Sequence, residues 1–74
     1  MKLTSISPAH AAQLKIGSVV RARIGVIGNV ALGERGTIQG NRLTDKRCEN
    51  PGDFVVRFGN NDWLMNNTQL ACAY

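Results

Sequence analysis

The side chains that most often carry acid–base chemistry are few in this 74-residue chain, which has one histidine and five carboxylates. General acid–base catalysis requires a titratable pair placed around a pocket. His10 lies in an alanine-rich segment and has no carboxylate at helical spacing. The carboxylates all lie in or beside segments typical of turns, where hydrogen bonds to the backbone favour Asp: Glu34, Asp45, Glu49, Asp53 and Asp62. We therefore expect a protein that is not an enzyme.

The two cysteines, Cys48 and Cys72, have no base beside them in the sequence. A zinc site needs about four ligands, and two distant cysteines with one histidine are too few. The spacing leaves open whether the cysteines are free thiols or form one disulfide, although free thiols suit a cytosolic protein. Cys72 stands between two alanines, as a small core residue would. We expect neither a metal ion nor another cofactor.

Basic side chains give a more informative pattern. Nine Lys and Arg against five Asp and Glu leave a net charge of +4, which permits nucleic-acid binding because phosphate neutralisation dominates such affinities. Strand alternation predicts an outward face of three arginines with four further cations at its edge: Arg21, Arg23 and Arg57, then Arg35, Arg42, Lys46 and Arg47. The alternative interpretation is an ordinary solvated face.

Trp63, the single tryptophan, follows the turn segment 60–62. It could stack on an unpaired base, or it could pack in the core or in an interface, because Trp buries a large area. Strand alternation also leaves Val19, Val55 and Leu64 facing outward. A partner protein or a second copy of the chain would cover such apolar side chains. Nucleic-acid binding and protein interaction, including homo-oligomerisation, are therefore both open hypotheses.

The elements that must position these residues follow from local patterns. Ser7 can cap a short helix that extends to Leu14, because Pro8 suits the first helical position. Alternating apolar and polar residues predict a strand over 18–24. We predict four further strands and three connections: strands 36–39, 53–58, one beginning at Trp63 and one over 71–74, with a surface loop over 40–52, a hairpin turn over 59–62 and a single helical turn over 66–70.

Five short strands joined by glycine-rich turns favour a small closed or nearly closed barrel, since closure removes unpaired edges. Phe54, Val56 and Phe58 would face its interior. A chain of 74 residues makes one domain, and 43% apolar residues argue against disorder. We assign residues 1–15 to an N-terminal segment with the helix and residues 16–74 to the barrel. No secretory signal or stretch of 18 apolar residues is present, so we expect a cytoplasmic protein without a membrane span.

Segments 16–23 and 33–38, with the sequences IGSVVRAR and GERGTI, resemble the KOW element of SH3-like barrels. In that element a Gly-x-x-Val strand is followed by Gly-x-x-Gly-x-Val/Ile. KOW modules occur in ribosomal proteins and transcription elongation factors, and they bind RNA or protein. The spacer over 24–32 is longer here than the usual KOW loop. The resemblance implies a mainly β fold, a five-stranded SH3-like small barrel, that works as a binding module.

Residues 16–70 are also similar to the plasmid-borne type II dihydrofolate reductases, which are single SH3-like barrels of similar length. The similarity rests on segments 16–21, 36–40 and 50–52 and on Leu70. That family's active pore needs a Val-Gln-Ile-Tyr segment and a lysine on the first strand, which the resemblance aligns with Asp62-Trp63-Leu64-Met65 and Ala22. These residues lack the nicotinamide and folate contacts. The resemblance therefore implies the fold, and a pore assembled from four copies is the remaining enzyme alternative.

Overall fold

Five antiparallel strands curl into a half-barrel, preceded by one short helix. The computed structural model describes residues 3–23 and 30–73. Along the chain the elements are α1 (Pro8–Ala11), β1 (Val19–Ala22), β2 (Arg35–Asn41), β3 (Asp53–Phe58), β4 (Asn61–Asn66), a 3-10 turn (Asn67–Gln69) and β5 (Leu70–Cys72). The strand order is β4-β3-β2-β1-β5. The predicted mainly β fold, with five strands and a short N-terminal helix, is confirmed.

The helix α1 begins where the sequence predicts it. The Ser7 hydroxyl accepts a hydrogen bond from the His10 backbone N–H at 3.2 Å, and Pro8 occupies the first turn. The helix is shorter than predicted because the backbone tightens after Ala11. Gln13 and Leu14 donate to carbonyls three residues back rather than four, which is the 3-10 pattern common at helix ends.

The strand β2 continues two residues beyond its predicted end at Gln39. A bulge shifts the register here, because Ile38 pairs with Val56 whereas Gly40 pairs with Val55. One extra residue in β2 therefore opposes β3, which bends the strand and reverses the faces that follow. The bulge turns Gly40 toward the loop, where a Cβ would lie 3.2 Å from Cβ of Asp45.

The predicted hairpin turn is present but tighter than expected. Phe58 pairs with Asn61, so the connection between β3 and β4 has only two residues, Gly59 and Asn60. Gly59 has a φ of 63°, and glycine at the first position fits a type II′ hairpin turn. The strand β4 therefore begins at Asn61, two residues before the predicted start at Trp63.

The core fills the concave side of the sheet. Val20, Ile38, Val56 and Leu70 are fully buried there, and the N-terminal segment adds further apolar side chains, among them Ile6. Phe54, Val56 and Phe58 face this core, as predicted. Alternation along the strands was therefore sufficient to locate the interior of the sheet.

Glycine at position 36 is required by the packing of Phe58. A Cβ at Gly36 would lie 2.7 Å from Cε1 of Phe58 and 2.8 Å from Cγ1 of Val56. The ring on β3 thus covers the backbone of β2, with Gly36 paired to Val20 on the other side. This contact joins three strands in one packed unit.

The prediction that Val55 faces solvent is wrong. Val55 is only 2% exposed, although it lies on the convex side of β3 as its strand parity requires. The loop over 42–52 folds back over this side and buries Cys48, which is 3% exposed. The predicted surface loop is therefore polar at its tip but carries a small apolar contact of its own, and that contact removes Val55 from the surface.

The N-terminal segment attaches to the free edge of β5. Ser5 forms a bridge with Ala71, and the Ile6 N–H donates to the Leu70 carbonyl at 3.1 Å. The amide of Asn67 donates to the Ile6 carbonyl at 2.7 Å, which ties the 3-10 turn to the same segment. Among the described residues, no helix has both the length and the apolar character to cross a membrane.

Candidate nucleic-acid interface

Three arginines lie on the convex side of neighbouring strands, and we call them the arginine face: Arg21, Arg35 and Arg57. Arg21 on β1 pairs directly with Arg35 on β2. Arg57 on β3 pairs with Thr37, which is two residues from Arg35 and on the same side of β2. Directly opposed residues have Cβ atoms about 4.5–5.5 Å apart. Arg35, predicted at the edge of the patch, therefore occupies its middle.

Arg21 is held by the backbone rather than by an acidic side chain. Its Nε donates to the Ala73 carbonyl at 3.1 Å, and its Nη1 donates to the Gly33 carbonyl at 2.9 Å. The side chain is half-buried and bridges the end of β5 to the turn before β2. Carbonyl oxygens carry no net charge, so the positive charge of Arg21 remains uncompensated by these contacts.

Arg23 extends the cationic surface beyond the end of β1. Its Nη1 donates to the Thr68 carbonyl at 2.9 Å, and its backbone N–H donates to the Gln69 carbonyl at 2.9 Å. The 3-10 turn that offers these carbonyls is fixed by a capping box between Asn66 and Gln69. Arg23 is exposed, and its contacts leave its charge uncompensated as well.

Arg57 and Arg47 are both matched to aspartates. Arg57 Nε lies 2.8 Å from Asp62 Oδ1, and Arg47 Nη2 lies 2.7 Å from Asp45 Oδ2. The hydrogen bond from the Arg47 side chain lowers the pKa of Asp45 to about 2. The Arg57 hydrogen bond lowers the pKa of Asp62, and Arg47 adds a weaker attraction. Each of these two arginines thus has its charge matched by an aspartate.

Of the other two loop cations, Arg42 lies apart from the arginine face. Arg42 and Lys46 are exposed, and Arg42 borders a groove between α1 and the loop. Arg35 is the first residue of β2 and Arg42 follows its last, so seven positions of extended chain separate the two by about 20 Å. The structure thus brings Arg21, Arg35 and Arg57 together, but it does not add Arg42 to them.

Trp63 lies at the rim of the core. It is half-buried on the concave side of β4, opposite Val56, and packs against the core cluster. Packing against the core is therefore one role of Trp63, and stacking on an unpaired base stays a prediction. Leu64, its neighbour, points to the convex side and is 52% exposed.

Neither cysteine has a base beside it in the sequence, whereas the fold places one beside Cys72. The Cys72 sulfur lies 3.8 Å from Nδ1 and 3.9 Å from Nε2 of His10, across 62 positions of the chain. Both cysteines are free thiols. Burial raises the pKa of the Cys48 thiol under the loop. In the described part of the chain, no three His, Cys, Asp or Glu side chains cluster as metal ligands would.

Comparison with known families, curated proteins and solved structures gives no match to this chain. The KOW and reductase resemblances therefore stay predictions. At the position that the second resemblance aligns with the reductase's pore lysine, Ala22 is 1% exposed and lies in the core cluster. The aligned segment 62–65 lies within β4, where Trp63 and Met65 face the core.

Proposed function

We propose that this protein is a small binding module that contacts nucleic-acid phosphates through Arg21 and Arg35, with Arg23 beside them. The observation that carries the proposal is the direct pairing of Arg21 with Arg35 across β1 and β2. Like charges directly opposite each other destabilise a sheet. Within the described residues neither arginine forms an ion pair. A bound phosphate would offset their mutual repulsion, which favours an anionic partner for this surface.

The backbone contacts of Arg21 support the same function. An arginine fixed by two carbonyls loses little side-chain freedom when it binds, so less entropy opposes the contact. Its Nη2 makes no hydrogen bond to any described residue, which leaves this nitrogen to donate to a phosphate oxygen. Contacts of this kind position a protein on the nucleic-acid backbone and carry no base information. We therefore expect binding with little sequence preference.

Arg57 and Arg47 contribute less in this proposal. Each would have to leave a carboxylate before it could contact a phosphate, and Asp62 and Asp45 repel the same phosphates. Trp63 is half-buried on the concave side of β4, away from the arginine face, and stacking on an unpaired base there would favour single strands over duplex. The binding surface is accordingly centred on β1 and β2.

The SH3-like interpretation supplies the scaffold. Four strands in sequence form a meander, and after the 3-10 turn β5 returns to pair with β1. This connectivity and the KOW-like segments 16–23 and 33–38 support an SH3-like binding module. It places the turn before β2, which provides Gly33, directly beside Arg21.

Salt dependence of binding tests the proposal. Each neutralised phosphate contributes about −0.9 to the log–log slope on duplex DNA and about −0.7 on single strands. Replacing Arg21 and Arg35 together by Gln should reduce the slope by about 1.4–1.8. The matched control replaces Arg42 and Lys46 by Gln, which removes the same charge from the loop. An equal reduction of the slope in both double variants would overturn the proposal, and so would the absence of binding by the wild-type protein at about 50 mM salt.

A self-associating module is the second candidate, and Leu64 favours it. Leu64 is 52% exposed, and Val19 is 47% exposed. Among the described residues β4 pairs only with β3, so its second edge is open to another strand. Light scattering after size exclusion should then report a dimer or larger species that Leu64→Asp converts to monomer. A monomeric wild-type protein would exclude this candidate.

A further inference from the structure

Cys72 and His10 form a thiol–imidazole pair that the nucleic-acid proposal does not use. Cys72 ends β5 opposite Val20, and His10 lies on α1, so the pair exists only in the folded chain. Its distances of 3.8 and 3.9 Å are long for a hydrogen bond. Contacts between a nucleophile and its base are often this loose before a substrate binds, and they tighten on binding. Both side chains are half-buried and reachable from solvent.

The surroundings of this pair differ from those of Cys48. Cys48 lies under the 42–52 loop, 3% exposed, and burial raises the pKa of its thiol. Thiolates react with disulfides, whereas thiols do not. Cys48 is therefore protected from exchange because solvent hardly reaches it and because its raised pKa keeps it protonated. The molecule thus contains an inert cysteine that serves as an internal reference for Cys72.

Two grooves meet at the Cys72–His10 pair, and each one carries an arginine. A groove of about 450 Å³ is lined by His10, Cys72 and Arg35. A second groove, of about 480 Å³, is lined by His10, Cys72 and Arg21. Among the described residues, these two arginines are the ionised side chains that border the pair. A small molecule lying at the sulfur would therefore meet a positive charge on either side.

We propose that Cys72 is a modification site for thiol–disulfide exchange with small anionic disulfides, with His10 as the base. The two arginines would hold carboxylates of the reagent while its sulfur–sulfur bond lies at Cys72. The proposal does not require nucleic-acid binding, but it uses the same two arginines, so a bound phosphate would compete with the disulfide for them.

The reaction balances without a further oxidant. His10 accepts the proton of the Cys72 thiol, and the thiolate attacks one sulfur of the disulfide. The reagent's sulfur–sulfur bond breaks as the Cys72 sulfur forms a new one. The leaving thiolate takes the proton from His10, so one protein thiol and one small disulfide yield one mixed disulfide and one small thiol.

The test compares the two cysteines in the 74-residue chain with glutathione disulfide as the anionic probe. Cys48→Ser retains only Cys72, and Cys72→Ser retains only Cys48. Intact-mass measurement at pH 7 should show one glutathionyl group added to the Cys48→Ser protein about tenfold or more faster than to the Cys72→Ser protein. Equal rates in the two proteins would overturn the proposal.

Further variants of the Cys48→Ser protein separate the base from the charges. His10→Gln should slow the reaction about tenfold at pH 7 and much less near pH 10, where an ordinary thiol ionises unaided. Arg35→Gln should slow glutathione disulfide but not cystamine, a cationic disulfide of similar reactivity. Arg35 is preferred to Arg21 here because Arg21 also holds the backbone. Unchanged rates in His10→Gln, or cystamine reacting faster than glutathione disulfide in the parent, would contradict the proposal.

Discussion

Arginines in the two halves of the convex surface have different kinds of partner. On β3, β4 and the loop, Arg57 and Arg47 each meet an aspartate within 2.8 Å. On β1 and β2, Arg21 faces Arg35 and bonds only to carbonyls. In the first half, which we call the matched half, these arginines are paired with aspartates. The second half, which we call the unmatched half, keeps an excess of positive charge. The number of arginines on a face is therefore a weaker guide to binding than which of them the fold leaves without an acidic partner.

The halves also differ in what their arginines do for the fold. Exposed ion pairs contribute little to stability, because solvent screens them and ordering two long side chains costs entropy. Arg21, by contrast, satisfies two carbonyls that belong to different parts of the chain. Arg21 in the unmatched half therefore both stabilises the fold and keeps a charge that a ligand can meet. The arginines of the matched half contribute less to stability, and their charges are already paired.

The largest expected effect comes from the packing that both halves share. Phe58 on β3 covers Gly36 on β2, so Phe58→Ala should destabilise the protein by about 3–5 kcal/mol in urea unfolding. Leu64→Ala, on the exposed side of β4, is the control and should change stability by less than about 0.5 kcal/mol. If Phe58→Ala were tolerated as well as Leu64→Ala, the two halves would not rest on one core.

Loss of Arg21 should cost more stability than loss of Arg57. Arg21→Ala leaves the carbonyls of Ala73 and Gly33 without their donors, which should cost about 1–3 kcal/mol in the same unfolding experiment. Arg57→Ala frees an exposed carboxylate that water solvates, and the unfolding midpoint should barely move. A larger loss in Arg57→Ala would reverse the assignment of roles to the two halves.

Acid should weaken the matched half selectively. The pKa of Asp45 falls from 3.8 to about 2 in the folded protein, and the pKa of Asp62 is also lowered. A lowered pKa stabilises the fold above pH 4 and loses that contribution as the pH falls through the folded value. The melting temperature should therefore drop between pH 4 and pH 2, and less steeply in a variant with Asp45→Asn and Asp62→Asn. Equal slopes in both proteins would contradict the ion pairs.

Alternation along the strands was enough to predict the part of the core that β3 supplies, because the side chains of Phe54, Val56 and Phe58 follow a period of two. The same rule placed Val55 correctly on the convex side but could not show the loop that covers it. Loop contacts depend on how the backbone folds back after β2, where a bulge between Ile38 and Gly40 has already shifted the register. Burial by a loop leaves no periodic trace in the sequence.

The site was predictable only in part for a related reason. Arg57 pairs with Asp62 because the hairpin has a two-residue turn. The predicted turn over 59–62 placed Asp62 in the connection and so did not predict this pair. Contacts of Arg21 with Ala73 and of Cys72 with His10 span 52 and 62 positions. Such contacts require the order of the strands in the sheet, which single-strand patterns do not provide.

The most direct test of the unmatched charge is to map where nucleic acid binds. A short single-stranded oligonucleotide is titrated into the ¹⁵N-labelled protein at about 50 mM salt, and backbone amide shifts are followed by NMR. We expect the shifts to concentrate at residues 19–23, 33–37 and 71–73 around Arg21 and Arg35. Shifts confined to the hairpin and the 42–52 loop, or no shifts at all, would contradict nucleic-acid binding at Arg21 and Arg35.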